Sequence, residues 1–335
     1  MTSHSFFALA AVVLAAFALT AAATRAVLAL LLHHEVLDRP NERSHHEVPT
    51  PRGGGWGVLA GLLPVLFAAA WFAGDLPRAA LVLPGVILLV AVSWADDLRN
   101  LGAGVRFACQ ITAIAIVLVA GDLPPAFGGV LPLWLDRLLA GIAWLWFINL
   151  YNFMDGIDGI TGTESAAIGL GLVAVVLVSG LGDVPLGLYG AALAGAGLGF
   201  LVWNWSPARL FMGDVGSVPL GFLIGWLLIL LAGEGHLAAA LILPLYYVVD
   251  ASYTLMRRLM RGERIWQAHR QHAYQRAAAV IGHPATVRLI AFLNFGLIGL
   301  AVASDETPFT SLVVALAVVS AFIYVIFARI VGRSG

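Results

Sequence analysis

The sequence predicts an all-α, polytopic membrane protein, and three observations carry that prediction. Apolar residues make up 61% of the 335 and charged residues 11%, with a mean hydropathy of +0.93. The apolar residues come in blocks about 18 to 25 long, the length that crosses a bilayer as a helix with every backbone polar group satisfied internally. All 18 basic residues are arginine, and they gather on one side of those blocks.

The blocks place about eleven spans, at roughly 6–32, 54–73, 79–95, 104–121, 137–151, 164–181, 187–203, 216–232, 237–256, 286–303 and 309–330. The first could be mistaken for a secretory leader. Its start, MTSHSFF, holds no arginine, however, and the block outruns a leader's apolar core, so it reads as a retained helix. With the N-terminus outside and the C-terminus cytoplasmic, fifteen arginines fall on inner loops and span edges. Only Arg78 and Arg137 fall outside, which is the bias that orients membrane helices. The outer segments read as turns, apart from the Pro/Gly-rich stretch 122–136. The single cysteine, Cys109, excludes an intrachain disulfide and a cysteine-rich metal site, and the lack of lysine excludes a catalytic lysine. No repeat, low-complexity tract or soluble domain interrupts the chain, so residues 1–335 read as one membrane-embedded domain with a cytoplasmic working face.

Five aspartates, Asp96, Asp97, Asp155, Asp158 and Asp214, stand at the inner ends of spans. A carboxylate at a lipid boundary is costly unless something pairs with it or coordinates to it. Acids delivered to one face by three separate segments point to a divalent metal and an anionic substrate. In NLYNFMDGIDG, Asn149, Asn152 and Asp155 recur at i, i+3 and i+6 on one broad side of a helix end. Gly156 and Gly159 then free the backbone to turn Asp158 toward the same place. A plain polar helix end would need neither two Asn nor two Asp. In Trp94-Ala95-Asp96-Asp97, adjacent carboxylates raise each other's pKa unless a cation is near, so one suits Mg²⁺ and the other a base. Taken alone, that pair reads better as two solvated loop acids.

WNWSPARLFMGDVGS places Phe211, which can stack on a base, and Asn204, which can pair with its edge, ahead of Asp214 between two glycines. AHRQHAYQR sets His269 and His272 at i, i+3 beside Arg270 and Arg276, a combination that suits diphosphate oxygens. A basic loop near anionic headgroups explains that segment equally well. The same two readings hold for His45, His46 and Arg52 in SHHEVPTPRGGG. Arg106 is either a charge partner for Asp96 and Asp97 or a positive-inside anchor. Asp250, the deepest acid, reads as a polar contact inside the bundle.

Taken together, PTPRGGG, ADD, NxxNxxDGxDG, FMGDVGS and the histidine loop, in that order between about Ser44 and Arg276, resemble the polyprenyl-phosphate N-acetylhexosamine-1-phosphate transferase superfamily, glycosyltransferase family 4. The resemblance implies transfer of a sugar-1-phosphate from a UDP-sugar to a polyprenyl phosphate, with release of UMP. It also implies Mg²⁺, with Mn²⁺ as an alternative, and a multi-pass enzyme of the bacterial cytoplasmic membrane working on lipid substrates. Nucleic acid is no partner, and a homodimer is an assembly to consider. By the same resemblance, Asp214 is the metal ligand. The resemblance likewise makes Phe211 and Asn204 the uracil contacts, Asp96 and Asp97 the essential acidic pair, Asn152, Asp155 and Asp158 the polar segment lining the site, and His269 and His272 the histidine loop. Asp96, Asp97, Asp155, Asp158, His269 and His272 are thus the catalytic candidates. Arg106, Arg270, His45 and Arg52 join Asn152, Asn204 and Phe211 as candidate substrate contacts on their own charge and position.

Two departures matter. HRQH stands where the phospho-N-acetylmuramoyl-pentapeptide translocase has three histidines, which favours the branch using UDP-GlcNAc or UDP-6-deoxy-N-acetylhexosamines over that alternative. Arg106 stands where the family has a lysine, keeping charge but not geometry. A secondary transporter is the rival of another class. Transporters place ionisable groups near the bilayer midplane and often show inverted repeats, neither of which is visible here.

Overall fold

The computed structural model describes residues 3–35, 37–38, 49–99, 101–180, 184–263 and 269–326. His45, His46 and the segment 264–268 lie outside the described residues. The long helices are α1 (Ser3–His33), α2 (Gly55–Phe72), α4 (Leu83–Arg99), α5 (Ala103–Ala120), α6 (Leu133–Phe153), α7 (Ile160–Val178), α8 (Val184–Asn204), α9 (Asp214–Leu231), α13 (His283–Ala303) and α14 (Pro308–Val325). Shorter ones are α3 (Leu76–Ala80), α10 (Leu237–Ile242), α11 (Leu245–Met260) and α12 (Ala273–Ile281). The two-residue strands β1 (Leu37–Asp38) and β2 (Thr50–Pro51) pair antiparallel.

Ten stretches of the described residues are long and apolar enough to cross a membrane, one fewer than the spans expected from sequence. The difference lies at 237–256. Gly235, at φ +93°, breaks the helical run after α9. Pro244 then separates α10 from α11, because proline lacks the N–H a helix interior needs. Neither piece is an apolar span: α10 has six residues, and α11 carries Asp250, Arg257 and Arg258. The pair nevertheless takes the chain across the bundle. At its start His236 stands 3.5 Å from Asp305, in the turn between α13 and α14. At its end Asp250 accepts the Ala273 and Tyr274 N–H groups at 2.8 and 3.1 Å, on the side where the other acids lie.

Without a hydrophobic drive between helices in lipid, close approach decides packing. α7 and α8 meet through small residues: a Cβ built on Gly169 would stand 2.5 Å from the Ala194 nitrogen, and one on Gly197 2.7 Å from the Ala166 nitrogen. α8 packs against α1 on its other side, and α6 and α4 both pack on α9. Every residue of α9 from Val215 to Leu231 is buried. This central helix begins at Asp214, so the best-packed element of the fold fixes the position of one candidate acid.

Candidate active site

The site begins with a backbone zipper between two glycine-containing segments. The Phe211 N–H donates to the Pro51 carbonyl at 2.9 Å, and the Phe211 carbonyl accepts from Gly53 and Gly54 at 3.1 and 2.8 Å. The Gly55 N–H then donates to the Met212 carbonyl at 2.9 Å. The two backbones approach so closely that a Cβ on Gly55 would lie 2.1 Å from the Gly216 Cα. That contact is the physical reason for glycine in both PRGGG and GDVG. Its product is the placement of Arg52 directly over the start of α9.

Arg52 Nη2 donates to Asp214 Oδ1 at 2.6 Å and stands 4.0 Å from Asp97 Oδ1. The half-buried Asp155 feels the same charges. Burial, helped by the Asp214 charge, outweighs the hydrogen bond from Thr161 and the Arg52 charge and leaves its carboxyl pushed up to about 6. Thr161 Oγ1 donates to Asp155 Oδ1 at 2.5 Å, tying the acid to the first turn of α7. Asp97 from α4 and Asp214 from α9 thus meet at one guanidinium, while Asp155 from the α6–α7 loop is held by Thr161 and feels that charge.

The other two aspartates are held differently. Asp96 accepts from Arg106 Nη1 at 3.0 Å, so Arg106 is its charge partner across the α4–α5 turn. Asp158 accepts from the Ala208 N–H at 3.1 Å and lies 3.3 Å from His283 Nδ1. Burial alone would raise its carboxyl, but contacts to His283, Ala208 and Ser206 hold it below the usual range. Asp158 therefore joins the α6–α7 loop to the α8–α9 loop and to α13.

Among the amides, Asn152 Oδ1 accepts from Ser217 Oγ at 2.5 Å, and Asn149 Nδ2 donates to Gln110 Oε1 at 2.8 Å. Asn204 is buried, accepting from the Gly159 N–H and donating to the Leu210 carbonyl, both at 2.9 Å. Its amide thus holds the two site loops together, at the position assigned from sequence to a base edge. Phe211 is half-buried, its backbone committed to the zipper.

The histidine loop is fixed to the same region. The Tyr274 hydroxyl donates to the Phe153 carbonyl at 2.9 Å, two residues before Asp155. The His269 and His272 rings lie 4.8 Å apart. His272 is 2% exposed, with Nδ1 3.8 Å from Asp250 Oδ1. Burial, reinforced by His272 and Arg258, pushes the His269 imidazole down to about 4. His269 is therefore neutral near pH 7, a hydrogen-bonding group rather than a cation. Arg270 is exposed beside it.

Sequence reasoning gave no role to Thr161, Ser217, Tyr274 or His283. Thr161 and Ser217 each sit in the first turn of a helix next to a site loop, a position that could have marked them. Nothing in the order of residues links His283 to Asp158 across 125 positions.

Among the described residues no three His, Cys, Asp or Glu side chains group closely enough to hold a metal by themselves. The oxygen donors about Arg52 nevertheless suit Mg²⁺, which commonly takes one or two carboxylates and completes its shell with substrate phosphates and water.

Residues 79–232 match the profile of glycosyl transferase family 4. The chain is 31% identical over 362 residues to decaprenyl-phosphate N-acetylglucosaminephosphotransferase of Mycolicibacterium smegmatis, covering 94% of this chain and 87% of that protein. It is 28% identical over 272 residues to a probable undecaprenyl-phosphate N-acetylglucosaminyl 1-phosphate transferase of Bacillus subtilis, covering 77% and 74%. It is also 31% identical over 237 residues to phospho-N-acetylmuramoyl-pentapeptide-transferase of Streptococcus pneumoniae, covering 65% and 71%. With its site loops joined as described and this degree of identity across most of its length, the chain belongs to glycosyl transferase family 4, the superfamily of polyprenyl-phosphate N-acetylhexosamine-1-phosphate transferases.

Proposed function

We propose that the protein transfers an N-acetylhexosamine-1-phosphate from a UDP-sugar to a polyprenyl phosphate, releasing UMP and starting a lipid-linked glycan. The observation that carries this reading is Arg52 bound to Asp214 and 4.0 Å from Asp97. An arginine and carboxylates from distant segments form a polar centre at one end of an apolar bundle. The arginine bias supports placing that centre at the cytoplasmic face of a bacterial inner membrane.

The chemistry explains the residue types. An oxygen of the lipid phosphate bonds to the β-phosphorus of the donor, the bond from that phosphorus to the α–β bridging oxygen breaks, and UMP leaves. Both reactants are anions, so charge neutralisation and alignment supply most of the catalysis. Arg52 is placed to bind diphosphate oxygens when it releases Asp214. Asp97 accepts the acceptor's proton at Oδ1. Asp214 is the residue that would hold Mg²⁺, which when bound would supply positive charge to the diphosphate. Neutral His269 can donate a hydrogen bond to the sugar or diphosphate without adding charge.

An apolar groove of about 380 Å³ supports a long hydrocarbon acceptor. It runs between α6, α9, α10–α11 and α14, past Trp144, Phe147, Leu228, Leu241, Val248 and Leu316. It follows α6, whose last turn carries Asn152. The test is UMP release by purified protein given undecaprenyl phosphate and a panel of UDP-N-acetyl sugars, UDP-MurNAc-pentapeptide included. UMP release that needs both substrates, stops with chelator and returns with Mg²⁺ is the expected result. No release from any donor in the panel overturns the reading.

A further inference from the structure

Asp250, which follows the apolar run 244–249, is buried and accepts from four donors. Its Oδ1 takes the Ala273 N–H at 2.8 Å and Thr254 Oγ1 at 3.4 Å. Its Oδ2 takes the Tyr274 N–H and the Tyr246 hydroxyl, both at 3.1 Å. The two N–H groups open α12, at the end where a helix has no carbonyls of its own to offer them. A negative charge there also suits the helix dipole. The carboxylate therefore fixes the start of α12 to α11.

Tyr274, placed in this way, is itself fully buried. Its ring stacks on His272, with centroids 5.6 Å apart and planes at 22°. Its hydroxyl donates to the Phe153 carbonyl at 2.9 Å. Phe153 is the last residue of α6, where carbonyls lack donors within the helix. Gly156 shows how closely that hydroxyl fits beneath the α6–α7 loop. Its φ is not positive, so the turn does not call for glycine. Space does: a Cβ on Gly156 would lie 2.2 Å from the Tyr274 hydroxyl and 3.0 Å from Gln275 Nε2. Asp155 stands between these two points of contact, and Thr161 of α7 holds its carboxylate.

We infer that Tyr274 is a positioning residue for the transfer: its hydroxyl sets Asp155 through the Phe153 carbonyl and the Gly156 backbone, and Asp250 sets Tyr274. The inference rests on the reaction proposed above. The Arg52 and Asp214 charges both act on Asp155, so a shift of its loop changes the field in which the two phosphates meet. Alignment carries much of such a reaction, and a misplacement of about 1 Å can cost about 10²-fold in rate. α12 also has His272 at its N-cap. The brace therefore makes one unit of the histidine loop and the Asp155 loop.

The experiment uses the full-length protein in detergent with undecaprenyl phosphate and the panel of UDP-N-acetyl sugars. Tyr274→Phe removes the hydroxyl and keeps the ring on His272. It is expected to lower kcat roughly 10- to 10²-fold while KM for donor and acceptor stays within about twofold. Hydrogen exchange should quicken at residues 153–158 and stay unchanged within α12, which Asp250 still caps. Asp250→Asn should quicken both. Tyr324→Phe, exposed on α14, is the control and should alter neither rate nor exchange. Gly156→Ala should lower the melting temperature, and adding Tyr274→Phe should restore part of it, because the methyl then meets no hydroxyl. Wild-type kcat in Tyr274→Phe, or a rise in KM in place of the kcat loss, overturns the positioning role. Wild-type exchange in Asp250→Asn overturns its part in holding Tyr274, and melting losses that simply add in the double variant overturn the contact at Gly156. No UMP release by wild type overturns the reaction itself, and the role of Tyr274 in it falls too; an active wild type separates the two failures.

Discussion

Arg52 and Asp214 are 162 positions apart in the chain and 2.6 Å apart in the fold. The pair is partly exposed, so it adds little to stability; in the proposed reaction it holds charge where a diphosphate would arrive. Replacing Arg52 with Gln is expected to lower turnover roughly 10²- to 10³-fold, the range for loss of one charge-stabilising donor. The melting temperature should move little. Asp97→Asn and Asp214→Asn should each abolish UMP release, and near-normal turnover in either purified variant would falsify its assigned role.

His283 tests how the site loops are held. Its Nδ1 lies 3.3 Å from the Asp158 carboxylate, and the Asp158 N–H also points to it at 3.4 Å. His283→Ala should lower kcat about tenfold with KM for the donor nearly unchanged, because loop placement rather than a substrate contact is lost. His283→Asn, which keeps a hydrogen bond to Asp158, should recover part of the rate. A KM effect without a kcat effect would assign His283 to substrate binding instead.

Gly55 reports on the zipper beneath Arg52. With only 2.1 Å between a new Cβ and the Gly216 Cα, Gly55→Ala must force the backbones apart. The expected cost is about 1–3 kcal/mol of stability, accompanied by loss of transfer. Gly102→Ala, with no atom within 4 Å of the new Cβ, serves as the neutral comparison. Equal melting temperatures for the two variants would show that the segments separate without cost.

His269 gives a pH test. Its imidazole is held at about 4 in the fold against 6.5 for a free side chain. As pH falls from about 6.5 to 4 the unfolded chain takes up the proton first, so acid removes stability across that window. His269→Gln should therefore lose less melting temperature than wild type between pH 7 and pH 4.5. Parallel loss in both proteins would mean that the ring titrates normally.

Much of this protein follows from sequence alone. Span length and arginine placement are local quantities, so the helical membrane class and most of the ten apolar stretches could be read directly. The ninth crossing was legible only as an apolar average. Gly235 and Pro244 divide it, and Asp250 at its centre caps α12 rather than facing lipid. The motifs likewise announced a family and a set of polar residues.

Only the tertiary structure decided how those residues divide. Asp97 and Asp214 meet at Arg52, whereas Asp155 goes to Thr161, Asp96 to Arg106 and Asp158 to Ala208 and His283. Asn204, similar in sequence context to a ligand contact, spends both ends of its amide on the two loops. The physical reason is the same in each case. An aspartate's identity and its position at a helix end are fixed along the chain. Its partner is chosen by which helix ends packing brings within hydrogen-bond reach, and α9, buried along almost its whole length, sets that choice.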